Sequence, residues 1–298
     1  MSQDKTKELV RGHKDVRAML FAPGSEPRKL RRLGSFGADM VVLDLEDAVA
    51  ESQKTAARAT VVEWLPSIAG GQITSVRANG LTTGRLVDDL AHAITADVDA
   101  VVVPKIESAG DLHFIDGVIS ALEVANSWPK SRLAVFPLIE TARGFVNLTE
   151  IAMAASSLSR MVRLVFGSGD FGADVGLEEL PLSAHLMAAR AQFVTASRAA
   201  GLPAPMDGPF LHIEDLDGLR ADTEVSRACG FRGRVVIHPS HVGPVQDVYS
   251  GAGSGHVGID PRRIIDEFEK AEAQGLASIR VDGLFVDYPI YRDALTKL

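Results

Sequence analysis

Eight short runs rich in Val, Ile, Leu and Ala, separated by longer stretches with helical spacing, restrict this chain to an α/β fold built on a parallel sheet. The runs lie near 17–22, 39–44, 73–78, 99–103, 133–138, 161–166, 203–207 and 233–237. Helical patterns fit between them, for example at 51–66, 108–127, 143–156, 178–200 and 213–229. Eight β units over about 240 residues match a (β/α)8 TIM barrel. A doubly wound open sheet also alternates, but it uses fewer strands and carries a phosphate loop after the first one. Here the match to G-x-G-x-x-G is Gly253, Gly255 and Gly258, with no strand before it and Pro261 close behind, so it reads as a flexible linker. The expected organisation is therefore a catalytic barrel over 1–250 and a linker with a C-terminal lid over 251–298. The lid reads as a helix at 260–275, a short extended piece and a last helix from about 289.

Composition removes several function classes. A net charge of −8 and a pI near 5.5 argue against nucleic acid as the main partner. Mean hydropathy is +0.10, yet no apolar run approaches the ~18 residues that cross a bilayer, so no membrane partner is expected. The opening MSQDKTKELVRGHKD is too charged to supply a signal peptide's apolar stretch. A lone Cys229 suits a reducing compartment and reads as a small apolar residue near a helix end. A cytoplasmic protein is the expectation.

Barrel enzymes keep their chemistry at the C-terminal ends of the strands, so those ends supply the candidates. Glu140 closes LAVFPLIE and Asp170 closes MVRLVFGSGD, thirty positions apart, with room for one crossover helix. Two carboxylates at the same end of neighbouring strands make a site for a hard cation, with Mg²⁺ (or Mn²⁺ in its place) preferred because it takes oxygen ligands and keeps waters. Zinc fits less well, since His238 and His241 straddle Pro239 without a third soft ligand at suitable spacing. Gly167, Gly169 and Gly172 bracket Asp170, where backbone N–H groups can face a carboxylate or oxyanion. Arg77 is suited to grip a carboxylate or carbonyl oxygen, or to pair with Asp44, Glu46 or Asp47 at the end of the second run. Lys105 has a Schiff-base reading and a charged, ion-paired one; the surrounding carboxylates favour the second. The patch Arg28, Lys29, Arg31, Arg32 is a solvated face or a phosphate site, and the acidic stretch 207–217 reads as a loop capping the next helix.

Eight segments in order resemble the citrate lyase β-subunit family, within the HpcH/HpaI aldolase and citrate lyase superfamily. They are RAMLFAPG (17–24), DLEDAV (44–49), VRAN (76–79), VPKIES (103–108), LIETARG (138–144), FGSGDFGADVG (166–176), IHPSHV (237–242) and VDGLFVDYP (281–289). The resemblance implies a Mg²⁺-dependent lyase that cleaves a 3-hydroxyacyl thioester into a 2-keto acid and an acyl-CoA. It implies that Glu140 and Asp170 hold the metal and that Arg77 steadies the thioester carbonyl or the keto-acid fragment. Arg17, Pro23 and the basic helix start at Arg28 and Lys29 would face coenzyme A. The other strand-end residues, Asp44, Glu46, Asp47, Lys105, Gly167, Ser168 and Gly169, would surround the substrate. Asp287 would reach a neighbour's site as the acid, which implies a homo-oligomer, commonly a trimer or hexamer. A metal-dependent aldolase acting on free hydroxy-keto acids is the alternative, along with condensing or thioesterase relatives, a Lys105 Schiff-base aldolase and a non-catalytic scaffold.

Overall fold

The computed structural model describes residues 15–68, 71–178, 184–251 and 259–295. The apolar runs become parallel strands: β1 (Ala18–Pro23), β2 (Met40–Asp44), β3 (Ile73–Arg77), β4 (Ala100–Val103), β5 (Ala134–Ile139), β6 (Val165–Phe166) and β7 (Arg234–Val236). Every residue of β2, β4 and β5 is buried, as expected for strands covered on both faces. Alternation along each strand divides the side chains into two populations. Met19, Met40, Val42, Val102, Phe136, Leu138, Val165, Met206 and Val235 fill the barrel interior. Leu20, Val41, Leu43, Val101, Val103, Ile139 and Val236 pack outward in a separate core with the helices.

The sheet runs β6-β5-β4-β3-β2-β1-β7, and the remaining gap is closed by Met206 and Asp207. Met206 donates to Leu164 and accepts from Phe166; Asp207 donates to Gly233 and accepts from Val235, at 2.8–2.9 Å. The seventh stave, expected over 203–207, is thus reduced to two residues. Its sequence is PAPMD, and Pro203 and Pro205 have no N–H to give to a ladder. The expected TIM-like barrel is present, with seven parallel strands in a nearly closed ring and helices around it.

The helices are α1 (Pro27–Leu33), α2 (Lys54–Ile68), α3 (Leu86–Ala93), α4 (Ala109–Ala125), α5 (Ala142–Val146), α6 (Leu148–Ser157), α7 (Ser168–Asp174), α8 (Ala184–Ala199), α9 (Leu216–Cys229) and α10 (Val242–Ser250). Local chemistry sets several starts. Ser108 and Asp111 form a reciprocal capping box on α4, and Asp215 caps α9 by accepting from Gly218. The single helix expected at 143–156 is broken at Asn147, whose side chain donates to the Glu107 carbonyl.

The chain divides into two compact units, Met1–Ala252 and Gly253–Leu298. The linker glycines Gly253, Gly255 and Gly258 lie outside the described residues. In the second unit, α11 (Pro261–Glu272) and α12 (Tyr288–Leu295) flank an antiparallel hairpin, β8 (Ser278–Val281) with β9 (Leu284–Asp287). The extended piece is therefore a hairpin, turned by Asp282 and Gly283, both at positive φ. Ile264, Ile265, Phe268, Val281, Val286 and Ala294 form this unit's own core. Among the described residues no helix is long and apolar enough to cross a membrane.

Candidate active site

In-register pairing of β2 with β3 sets Asp44 directly opposite Arg77 at the strands' C-terminal ends. Arg77 Nε donates to Asp44 Oδ1 at 2.7 Å and Nη2 to Oδ2 at 2.6 Å, a two-pronged ion pair. Asp44 also accepts the Glu46 and Ala48 N–H groups, which fixes the turn after β2. Arg77 Nη1 lies 3.1 Å from Glu46 Oε2, and the guanidinium sits over the Phe21 ring, 5.1 Å from its centroid. Burial works against this charge, but Asp44 and Glu46 outweigh it and raise the Arg77 pKa. The guanidinium is held in one plane before any substrate arrives.

Lys105 follows β4 in a left-handed backbone conformation, φ 54°. That turn aims its N–H at Glu140 Oε1, 2.9 Å away, while Nζ donates to Glu46 Oε1 at 2.6 Å and approaches Asp47 Oδ2 at 3.4 Å. Burial opposes the ammonium, yet Glu46, Asp47 and Glu140 together raise its pKa above the lysine range. Lys105 is thus an ion-paired cation, and a neutral amine for Schiff-base attack is disfavoured here. Glu46 itself is pushed upward by burial, against the pull of Arg77 and Lys105.

Glu140 follows β5 and is almost wholly buried; Asp170 stands in the first turn of α7, just past β6, and is exposed. The two carboxyl groups stand on the wall of the same cavity, near enough for their charges to act on each other. Burial first, then Asp170 and Glu46, push Glu140 up to about 8, with Arg77 pulling the other way. A cation beside the two acids would relieve the repulsion that raises Glu140. The donors are all oxygen, which suits a hard divalent ion. Among the described residues no group of three or more His, Cys, Asp or Glu side chains is arranged for a metal, so the pair would leave further positions to water and substrate.

A cavity of about 1020 Å³ opens over this pair. Pro23, Arg28, Lys29, Asp44, Arg77, Glu140, Gly167, Gly169 and Asp170 all line it, so nine of the expected site residues meet in one place. Glu46, Asp47 and Lys105 stand behind them as the ion-paired support. Ser168 is buried, and its Oγ lies against the Gly208 backbone. Arg17 is a correction. It precedes β1, and its side chain pairs with Asp39, ahead of β2, at 2.7 Å. That places it at the N-terminal rim, away from the cavity. Asp287 ends β9 in the second unit, where its Oδ1 faces the Ile290 N–H.

Sequence reasoning missed the apolar wall made by Phe21, Phe36, Leu138, Leu211, Ile213 and Val235. A hydrophobic residue at a strand end has the same signature as one in the core, so no signal marked them. His238 also lines the cavity, but its Nδ1 is bonded to Ser240, and His241 Nε2 to the Ile213 carbonyl.

The family model of the HpcH/HpaI aldolase/citrate lyase family matches residues 17–239. Citrate lyase subunit beta of Leuconostoc mesenteroides subsp. cremoris is 32% identical, covering 92% of this chain and 89% of its own. L-malyl-CoA/beta-methylmalyl-CoA lyase of Rhodobacter capsulatus is also 32% identical, over 93% and 92% of the two chains. Among solved structures, protein CitE of Mycobacterium tuberculosis, in complex with magnesium, acetoacetate and coenzyme A, superposes with a TM-score of 0.71. It is 27% identical, over 95% of this chain and 97% of that one. With seven parallel strands in a nearly closed barrel and carboxylates gathered at their C-terminal ends, this chain belongs to the HpcH/HpaI aldolase/citrate lyase family and is a lyase.

Proposed function

We propose that this chain is a Mg²⁺-dependent carbon–carbon lyase that cleaves a 3-hydroxyacyl-CoA thioester into a 2-keto acid and an acyl-CoA. One observation carries the reading: Glu140, Asp170 and Arg77 line one cavity at the C-terminal ends of the barrel strands. The likeness to a malyl-CoA lyase and to a magnesium- and coenzyme A-bound relative supports it. Glu140 and Asp170 would hold the ion. When bound, Mg²⁺ would supply Lewis acidity to the 2-hydroxy and carboxylate oxygens of the substrate.

The remaining roles fall to the chain's own groups. Arg77, fixed by Asp44 and Glu46 and packed on Phe21, stabilises negative charge on the thioester oxygen as the carbon–carbon bond breaks. Its geometry is set by buried partners, so little reorganisation is needed as charge develops. Lys105 spends its amide on orienting Glu140 and its ammonium on Glu46. Arg28, Lys29 and Arg32 on α1 supply positive charge at the cavity for the coenzyme's phosphates. Asp287, brought by the second unit of a neighbouring copy in a homotrimer or hexamer, returns a proton to the enolate carbon. The reaction takes place in the cytoplasm.

The test is direct. Purified protein is assayed against malyl-, citramalyl- and citryl-CoA with Mg²⁺, with Mn²⁺ and with EDTA. Cleavage that stops with EDTA and returns with Mg²⁺ is expected; cleavage of free hydroxy-keto acids alone, or turnover indifferent to EDTA, would overturn the reading.

A further inference from the structure

Four charged side chains are buried where the barrel closes, and the proposed reaction uses none of them. Arg190 on α8, Asp207 in the short seventh stave, Asp222 on α9 and Arg234 on β7 are each at most 1% exposed. Two positive and two negative charges balance, so the set is neutral as a whole. Apolar side chains of similar volume would close a barrel as well or better, because buried ions lose their hydration. What a paired set adds is direction, and here it falls on one backbone position.

That position is Gly208. Among the described residues the stave's last bridge is at Asp207, so the ladder does not hold the chain beyond it. Side chains hold it instead. The Gly208 N–H donates to Asp207 Oδ1 at 2.9 Å, and its carbonyl accepts from Arg234 Nε at 3.0 Å. The second Asp207 oxygen lies 2.8 Å from Arg190 Nη2, and Asp222 pairs with both arginines.

Fixed in this way, Gly208 lies against the start of α7. A methyl group on its Cα would come within 2.7 Å of Ser168 N and 2.8 Å of Ser168 Cβ, with Oγ closer still. Gly208 is outside the left-handed region, so contact alone forbids a side chain there. Ser168 is buried, and Asp170 stands two residues further on, in the first turn of the same helix. A small hard cation tolerates little displacement of its oxygen ligands.

We infer that Gly208 is a positioning residue for Asp170: the buried ion set fixes its backbone, and its bare Cα sets how closely α7 approaches the seventh stave. This rests on the reading of Glu140 and Asp170 as metal ligands and extends it to a residue that touches neither.

The probe is Mn²⁺ alone, whose free-ion paramagnetic resonance signal reports binding to the full chain, with urea unfolding measured in parallel. Gly208→Ala is expected to lower Mn²⁺ affinity about 10–100-fold. Adding Ser168→Gly removes Cβ and Oγ, two of the three atoms the methyl would strike. The double variant should return to within about threefold of Ser168→Gly alone. Ser168→Cys sets a larger atom against Gly208 and should cost about 3–10-fold in affinity; it carries the test if Gly208→Ala does not fold. A role in stability alone would move the urea midpoint and leave Mn²⁺ affinity at the parent value. That result, or a loss that Ser168→Gly does not reverse, would overturn the inference and leave the metal site standing. If the parent chain itself takes up no Mn²⁺, the reading of the site falls and this inference with it.

Discussion

Gly167 is pressed against Glu140: a methyl group on its Cα would come within 2.4 Å of Glu140 Cβ and 2.6 Å of Oε2. The residue before α7 is therefore the wall that sets where the Glu140 carboxyl can point. Gly167→Ala is expected to leave the barrel folded, at about 1–3 kcal/mol of overpacking cost, and to turn Glu140 away from Asp170. Mg²⁺ or Mn²⁺ affinity, measured by titration, should fall about 10–100-fold. Unchanged affinity would show that Glu140 does not need this wall.

Arg77 is held by two carboxylates and an aromatic face, and a lysine cannot reproduce that fork. Arg77→Lys keeps the charge but loses the two-pronged grip and the fixed plane. Turnover should drop by about 10²–10³-fold while metal affinity stays near that of the parent. Asp44→Asn, which leaves Arg77 charged but less firmly oriented, should lie between the two in kcat. A loss of metal binding in either variant would place Arg77 in a different role.

The sequence made the staves and the carboxylate pair legible because both depend on local pattern. An apolar run ending in an acid marks a strand end whatever lies around it, as Glu140 and Asp170 show. Arg17 shows the limit of the same logic. It stands beside β1 in sequence, yet a six-residue strand is about 20 Å long, and a residue before it lands on the far rim. The seventh stave was shortened by prolines whose missing donors were present in the sequence but masked by the apolar residues between them. Lys105's left-handed backbone and the apolar wall at Leu138 and Val235 left no trace in pattern, because both are fixed by distant neighbours.

The acidic stretch that opens at Asp207 divides into two roles. Asp215 caps α9, whereas Asp207 is buried in the barrel closure beside Arg190, Asp222 and Arg234. Arg190 grips both oxygens of Asp222 at 2.8 and 2.9 Å, and Arg234 donates to Asp222 and to the Gly208 carbonyl. Burial would raise the Asp222 carboxyl, but Arg190 and Arg234 overcome it and hold the group below its ordinary value. An acid lowered on folding adds stability that is present above the unfolded pKa near 4 and lost as pH falls through the folded value. Urea unfolding should therefore show parent stability dropping below about pH 4. Asp222→Asn, which leaves two buried arginines short of a partner, should cost about 3–5 kcal/mol at pH 7 and flatten that acid limb. A variant as stable as the parent at pH 7 would remove the cluster from the list of what holds the barrel closed.

Asp287 supplies the last prediction, because it belongs to a unit with its own core and hairpin. Among the described residues its carboxylate has one long contact, 3.4 Å from the Ile290 N–H, which it can leave for a substrate at little cost. If it delivers the proton to a neighbour's site, Asp287→Ala should lower kcat by about 10²–10⁴-fold and change thioester binding little. An Arg77→Ala chain fails for a different reason, in its own barrel. Mixing the two inactive proteins and letting subunits exchange should then restore activity, since some hybrid sites pair an intact barrel with an intact Asp287. Recovery in the mixture, absent from either variant alone and from a cross-linked control that cannot exchange, is the expected outcome. If Asp287→Ala is fully active, or if exchange is demonstrated and no activity returns, the proton must come from elsewhere in the cavity.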